Sequence, residues 1–142
     1  MKKVYLASPF FNKKERSAVL LIADFLRNSK NLEVYVPMEH TIPNAWEMSN
    51  PDWAKAVFEE DIKALDSCDT VVVLNWGMYS DSGTAWECGY AYAKSKVVLN
   101  LLMPSADKDY SLMMINGSAS SVPWFSFVNG EEWDNLSAIN QK

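Results

Sequence analysis

Three carboxylates and a tyrosine carry most of the chemistry available to this sequence. Asp81 and Glu87 stand six residues apart in Asp81-Ser82-Gly83-Thr84-Ala85-Trp86-Glu87-Cys88-Gly89-Tyr90-Ala91, which Asn75–Ser80 separates from the apolar run Thr70-Val71-Val72-Val73-Leu74. That order predicts a strand feeding a helix through a turn loosened by Gly83, and such junctions are where open α/β sheets bind ligands. Glu87 is expected in the first turns of the helix, where the dipole favours an ionised carboxylate. In a concave site such a group can attack a sugar anomeric carbon. Asp61 follows Glu59-Glu60, and Tyr5 and Ser8 stand at the end of the first predicted strand. In a doubly wound parallel sheet the ends of strands one and three are neighbours, so Tyr5 can approach Glu87. Carboxylates sharing a pocket push their pKa values apart, giving a proton donor and an ionised group. Glycosyl transfer needs that pair.

Each residue also has an ordinary structural explanation. Glu87 serves equally as a helix-start acid, Asp61 as a solvated charge, and Asp81 between Ser80 and Ser82 as a turn residue or N-cap. Tyr5 could simply pack, and His40, the single histidine, sits in an irregular stretch that suits a surface side chain better than a general base. No G-x-G-x-x-G, P-loop or G-x-S-x-G motif is present, which weakens dinucleotide, NTP and serine-esterase chemistry. Cys68 and Cys88 with one histidine make no structural zinc site, so no metal or cofactor is expected.

The elements that must position these groups follow from pattern. Val4–Ala7, Leu32–Pro37, Thr70–Leu74 and Val97–Leu102 predict four strands. Asn12 with Glu15 resembles a capping box before a helix carrying Ala18, Leu21, Ile22, Phe25 and Leu26. Asn50-Pro51 reads as an N-cap followed by proline at the first helical position, before a helix with Trp53, Val57, Ile62 and Leu65. A third helix is expected over 84–94, and 38–49 reads as a loop. Ser111–Asn116 fits a fifth strand or a helical turn. Strands alternating with helices imply a single α/β domain over 1–142, with a parallel sheet covered on both faces. At 142 residues and net charge −5 the chain lacks the basic clusters that nucleic acid requires, and no apolar run is long enough to span a membrane. A cytoplasmic location is expected.

Tyr5-Leu6-Ala7-Ser8-Pro9-Phe10-Phe11, then Asp61-Ile62, then the Asp81–Ala91 segment resemble the nucleoside 2-deoxyribosyltransferase family over Lys3 to about Met114. The resemblance implies a flavodoxin-like (Rossmann-like) doubly wound parallel sheet in a three-layer sandwich. It implies exchange of the base of a 2′-deoxynucleoside with a free nucleobase through a covalent deoxyribosyl-glutamate. Glu87 resembles the nucleophile, Tyr5 the hydroxyl that orients it, Asp61 the acid that contacts the base, and Asp81 the ligand of the sugar hydroxyls. Ser8, Phe10 and Gly83 belong to the matching substrate-binding motifs. The family draws an asparagine from a neighbouring subunit; here Ser111 occupies that place, or Asn116 supplies the contact instead.

Two other functions fit parts of the pattern. The related 2′-deoxynucleoside 5′-monophosphate N-glycosidases carry serine where Asp81 stands and a glycine- and arginine-bearing loop after strand one. Asp81 and Ser8-Pro9-Phe10-Phe11 speak for a free 5′-hydroxyl, whereas Ser111 points toward the hydrolases. Gly83-Thr84-Ala85-Trp86-Glu87 also resembles the Gly-Thr-x-x-Glu motif of phosphoribohydrolases, and a non-catalytic nucleotide-sensing module is the third possibility. The aromatic residues Trp124, Phe125, Phe127 and Trp133 are expected at subunit contacts. The resemblance implies a homo-oligomer built from dimers, up to a hexamer, with shared active sites.

Overall fold

The computed structural model describes residues 2–106 and 108–130. Five parallel strands form one sheet in the order β2-β1-β3-β4-β5. They are β1 (Lys3–Ala7), β2 (Glu33–Tyr35), β3 (Thr70–Asn75), β4 (Val97–Leu102) and β5 (Ser120–Pro123). The winding reverses between β1 and β3, whose residues pair Tyr5 with Val71 and Ala7 with Val73. Helices α1 (Lys13–Asp24) and α5 (Trp124–Asn129) cover one face of the sheet. The other face carries α2 (Asn50–Ser67), α3 (Ser82–Ala93) and α4 (Leu112–Asn116). This is the flavodoxin-like three-layer sandwich expected from the alternation of elements.

Successive strand residues point to opposite faces, and each strand therefore feeds two cores. Val4, Leu6, Val72, Leu74, Leu99 and Leu101 meet Val19, Ile22 and Leu26 of the α1 side. Tyr5, Ala7, Val71, Val73 and Val98 meet Leu65, Cys68, Cys88, Ala91 and Met114. α1 opens with the predicted Asn12 cap, Glu15 N donating to Asn12 Oδ1 at 2.8 Å, while the return bond to Glu15 Oε1 comes from Phe11 N at 2.9 Å, one residue before the cap. The helix continues through a π turn at Phe25–Ser29.

Several expectations need correction. The cap of α2 is Ser49, whose Oγ accepts from Asp52 N at 3.2 Å, so Asn50 already lies inside the helix. The apolar stripe of α1 is Val19, Ile22, Ala23 and Leu26, while Leu21 is half exposed. Of the two readings left open for Ser111–Asn116, the helical one holds, with a short helix at Leu112–Asn116, and the fifth strand lies further on, at Ser120–Pro123. Phe127 does not serve a subunit contact: it is fully buried, edge-on to Phe25 with ring centroids 5.4 Å apart. Folding α5 back over the sheet gives that ring room which a count of aromatic residues does not reveal. Trp124 is partly buried against the same core, Phe125 is exposed, and Trp133 lies outside the described residues.

Candidate active site

The carboxyl ends of β1 and β3 open into a cavity of about 380 Å³ whose lining includes Ser8, Phe10, Tyr35, His40, Asp61, Asp81 and Glu87. Tyr5 is wholly buried in β1, and its hydroxyl donates a hydrogen bond to Glu87 Oε2 across the switch point. The parallel register sets Tyr35 of β2 beside Tyr5, with the rings stacked at 5.5 Å. His40 stacks on the outer side of Tyr35 at 4.1 Å, with its Nδ1 3.9 Å from Glu60 Oε1.

The turns around this cavity have local causes. After β3, Asn75 Oδ1 accepts from Gly77 N at 3.1 Å, and Gly77 adopts φ 136°, a conformation open to glycine alone. Asp81 caps α3 by accepting from Thr84 N at 2.9 Å and from Thr84 Oγ1 at 3.1 Å, both on Oδ2. Gly83 does not loosen the turn; it lies within α3, where a Cβ would stand 3.2 Å from that same Oδ2. Gly83 does not line the cavity but gives the Asp81 carboxylate its space. Ser8 Oγ donates to Pro9 O at 2.8 Å, and the loop behind it is fixed by the Asn12–Glu15 cap. On the far side, Arg27 holds Glu39 at 2.9 and 2.6 Å and donates to Val34 O at 2.8 Å, pinning the stretch that carries His40.

Electrostatics differ from the sequence-based picture. Glu87 is the sixth residue of α3, past the first turn where the dipole acts. Burial pushes its carboxyl up to about 7; the Tyr5 hydrogen bond pulls the other way, and the charges of Asp61 and Asp81 push further up. Asp61 is also raised, to about 6, by burial and by Glu60, with His40 opposing. The site therefore raises both acids toward neutrality rather than keeping Glu87 strongly ionised. Burial, and then the Glu87 charge and hydrogen bond, hold the Tyr5 phenol protonated far above its ordinary range. Such a pair can exchange protons near neutral pH.

Ser111 and Asn116 do not reach this cavity within one chain. They border a separate hollow with Cys88, Gly89, Tyr92 and Met113. Ser111 Oγ accepts from Met114 N at 3.4 Å, and Asn116 Nδ2 donates to Leu112 O at 2.8 Å. Conversely, Tyr35, His40, Glu60 and Trp53 line the cavity although the pattern singled out none of them for it. For Tyr35 the available signal was its place at the end of a predicted strand, matching that of Tyr5. Among the described residues no group of three His, Cys, Asp or Glu side chains is disposed to hold a metal ion, and no helix is long and apolar enough to cross a membrane.

A family model described as nucleoside 2-deoxyribosyltransferase matches residues 4–117. A nucleoside deoxyribosyltransferase from Limosilactobacillus fermentum is 28% identical over 122 residues, covering 80% of this chain and 71% of that protein. The solved 2-deoxyribosyltransferase of Bacillus psychrosaccharolyticus superposes with a TM-score of 0.76 at 30% identity, over 89% of this chain and 90% of the other. A CMP N-glycosidase from Clostridium botulinum shares the fold, with a TM-score of 0.59 at 22% identity over 95% and 99% of the two chains.

Proposed function

Because the chain belongs to the nucleoside 2-deoxyribosyltransferase family, we propose that it exchanges the base of 2′-deoxynucleosides through a covalent deoxyribosyl-Glu87 intermediate. The observation that carries this reading is the buried Tyr5 hydroxyl donating to Glu87, which lines the cavity together with Asp61. Tyr5 stays protonated, so it fixes one carboxylate oxygen and leaves the other to attack C1′. The electrons of the C1′–N bond pass to the base nitrogen, which takes the Asp61 proton. A second base then attacks C1′, the C1′–O bond to Glu87 breaks, and the incoming nitrogen returns its proton to Asp61. Two inversions retain the β anomer.

The productive form needs Glu87 ionised and Asp61 protonated. With Glu87 near 7 and Asp61 near 6, that form is a minority, and the pair titrates as a unit. Activity should rise as Glu87 ionises and fall as Asp61 loses its proton, giving a bell with its maximum between the two values. Asp81 Oδ1, which takes part in neither cap bond, is assigned to the sugar hydroxyls. Phe10 and Ser8 are assigned to the wall over the sugar.

Assembly is part of the proposal. Phe58, Trp86, Tyr92, Leu112 and Met113 are exposed on α2, α3 and α4, with Phe58 edge-on to Trp86 at 5.5 Å. An apolar face of this kind suits a contact between copies, through which Ser111 or Asn116 would complete a neighbour's cavity.

Incubating the protein with a deoxynucleoside and a different free base tests the reaction. A new deoxynucleoside is expected, with a deoxyribosyl adduct on the intact protein that is absent from Glu87→Ala. Free deoxyribose alone would mark a hydrolase, and no change would mark a binding module; either result sinks the transfer reading.

A further inference from the structure

Deoxyribosyl transfer does not specify which base the cavity prefers, and one edge of that cavity is unused by the mechanism above. The Tyr35 hydroxyl is buried and has no hydrogen-bond partner among the described residues. An enclosed hydroxyl without a partner is costly, so its natural complement is a polar atom of the ligand. Tyr35 is the middle ring of the Tyr5–Tyr35–His40 stack, and both Tyr35 and His40 line the cavity. His40, the last ring, lies with Nδ1 toward Glu60. A carboxylate beside one imidazole nitrogen favours the proton on that nitrogen, which makes Nε2 of the neutral ring an acceptor. The Arg27 clamp on Glu39 and Val34 fixes the chain on which His40 is carried.

Resting on the deoxynucleoside reading, we propose that Tyr35 and His40 read the base. The Tyr35 hydroxyl pairs with a ring nitrogen, donating to it where it is bare and accepting from it where it carries hydrogen, and His40 Nε2 accepts from an exocyclic amine. Amino-bearing bases such as adenine and cytosine place an acceptor nitrogen next to an amine and satisfy both groups. Their oxo counterparts set a carbonyl oxygen against the His40 lone pair, leaving two acceptors face to face without a proton between them. The neighbouring walls, Trp53 and Ile42, are apolar and read stacking area rather than edge pattern.

The test separates binding from turnover. In a Glu87→Gln background, which holds nucleoside without consuming it, affinities for 2′-deoxyadenosine and 2′-deoxyinosine are measured by calorimetry at pH 8. The amino nucleoside is expected to bind about tenfold tighter, a single good hydrogen bond's discrimination. Adding His40→Phe should bring the ratio close to one, and His40→Gln, which restores an acceptor, should recover part of it. Adding Tyr35→Phe should weaken both ligands several-fold while leaving the ratio intact. An oxo preference, equal binding, no binding of either nucleoside, or a ratio that His40→Phe leaves unchanged would overturn the assignment. The outcomes also divide the two readings. Discrimination by Glu87→Gln without base exchange by the unaltered chain retains base reading and sinks transfer. Active exchange with equal affinities does the reverse.

Discussion

The two faces of the sheet are built from the same strands and do different work. On the α1/α5 face, Leu6, Leu74, Leu99, Leu101 and Phe127 are large and buried, and they fill the space between sheet and helices. On the α2/α3 face the buried set runs to small side chains, Ala7, Ala64, Cys68, Cys88 and Ala91, with Tyr5, Thr84 and Asn100 among its polar-tipped members. Close-packed large side chains stabilise by removing apolar area from water. Small ones let α3 approach β1 until Tyr5 meets Glu87. Stability and chemistry are thus separated by one residue of strand alternation, since Val4 and Leu6 face one way and Tyr5 and Ala7 the other.

Substitutions on the two faces should break apart accordingly. Glu87→Gln is expected to lower turnover by about 10³-fold or more, as loss of a nucleophile does, without lowering the melting temperature. A variant that kept more than a tenth of its rate would end the division. Phe127→Ala should cost about 3–5 kcal/mol of unfolding free energy in a urea titration. Its rate per folded molecule should stay within about twofold, because the ring lies in the core on the other face of the sheet from the cavity. A folded but inactive Phe127→Ala protein would show that the faces are coupled.

Tyr5→Phe sharpens the comparison, because it changes the site and leaves the ring in the core. Losing one orienting hydrogen bond should slow exchange by about 10–100-fold. That bond lowers the Glu87 pKa, so its removal should raise the Glu87 value further above that of Asp61, moving the alkaline limb of the bell to higher pH and lowering its maximum; an unmoved alkaline limb would contradict the Tyr5–Glu87 contact. The smallest effect is on stability itself. Glu87 has a folded-state value raised to about 7 from 4.5, so its stabilising contribution is fully present below pH 4.5 and is lost as pH rises to about 7. Thermal unfolding should therefore show a loss of about 3 kcal/mol over that window. Glu87→Gln should flatten this part of the curve, and an equally steep curve in the variant would place the titration elsewhere.

The sequence revealed the elements whose periodicity reflects burial and missed those set by tertiary contacts. The four strands β1 to β4 are apolar runs ended by proline, asparagine or polar turns, and a buried parallel strand needs little more. β5 escaped because Ser120-Ser121-Val122-Pro123 has one large aliphatic residue and takes its register from β4. Ser49 and Asn50 are both good caps, and only the bond to Asp52 N decides between them. In the site, the Tyr5–Glu87 approach was legible because strand order brings those two ends together. Tyr35 and His40 were not, since their place depends on a register between β1 and β2 and on a ring stack that no local pattern encodes. The raised pKa of Glu87 was equally out of reach, because it comes from burial depth rather than helix position.

The short strands at the two margins of the sheet have a consequence for how this protein behaves when concentrated. β2 offers only Glu33–Tyr35, and β5 ends in Pro123, which has no amide hydrogen to donate. A neighbouring chain finds too little free backbone at either margin to zip on as a sixth strand, so runaway fibre growth by strand addition is blocked at both ends. The proposed contact between copies would instead use exposed apolar side chains of α2, α3 and α4, a patch whose hold weakens on cooling or dilution.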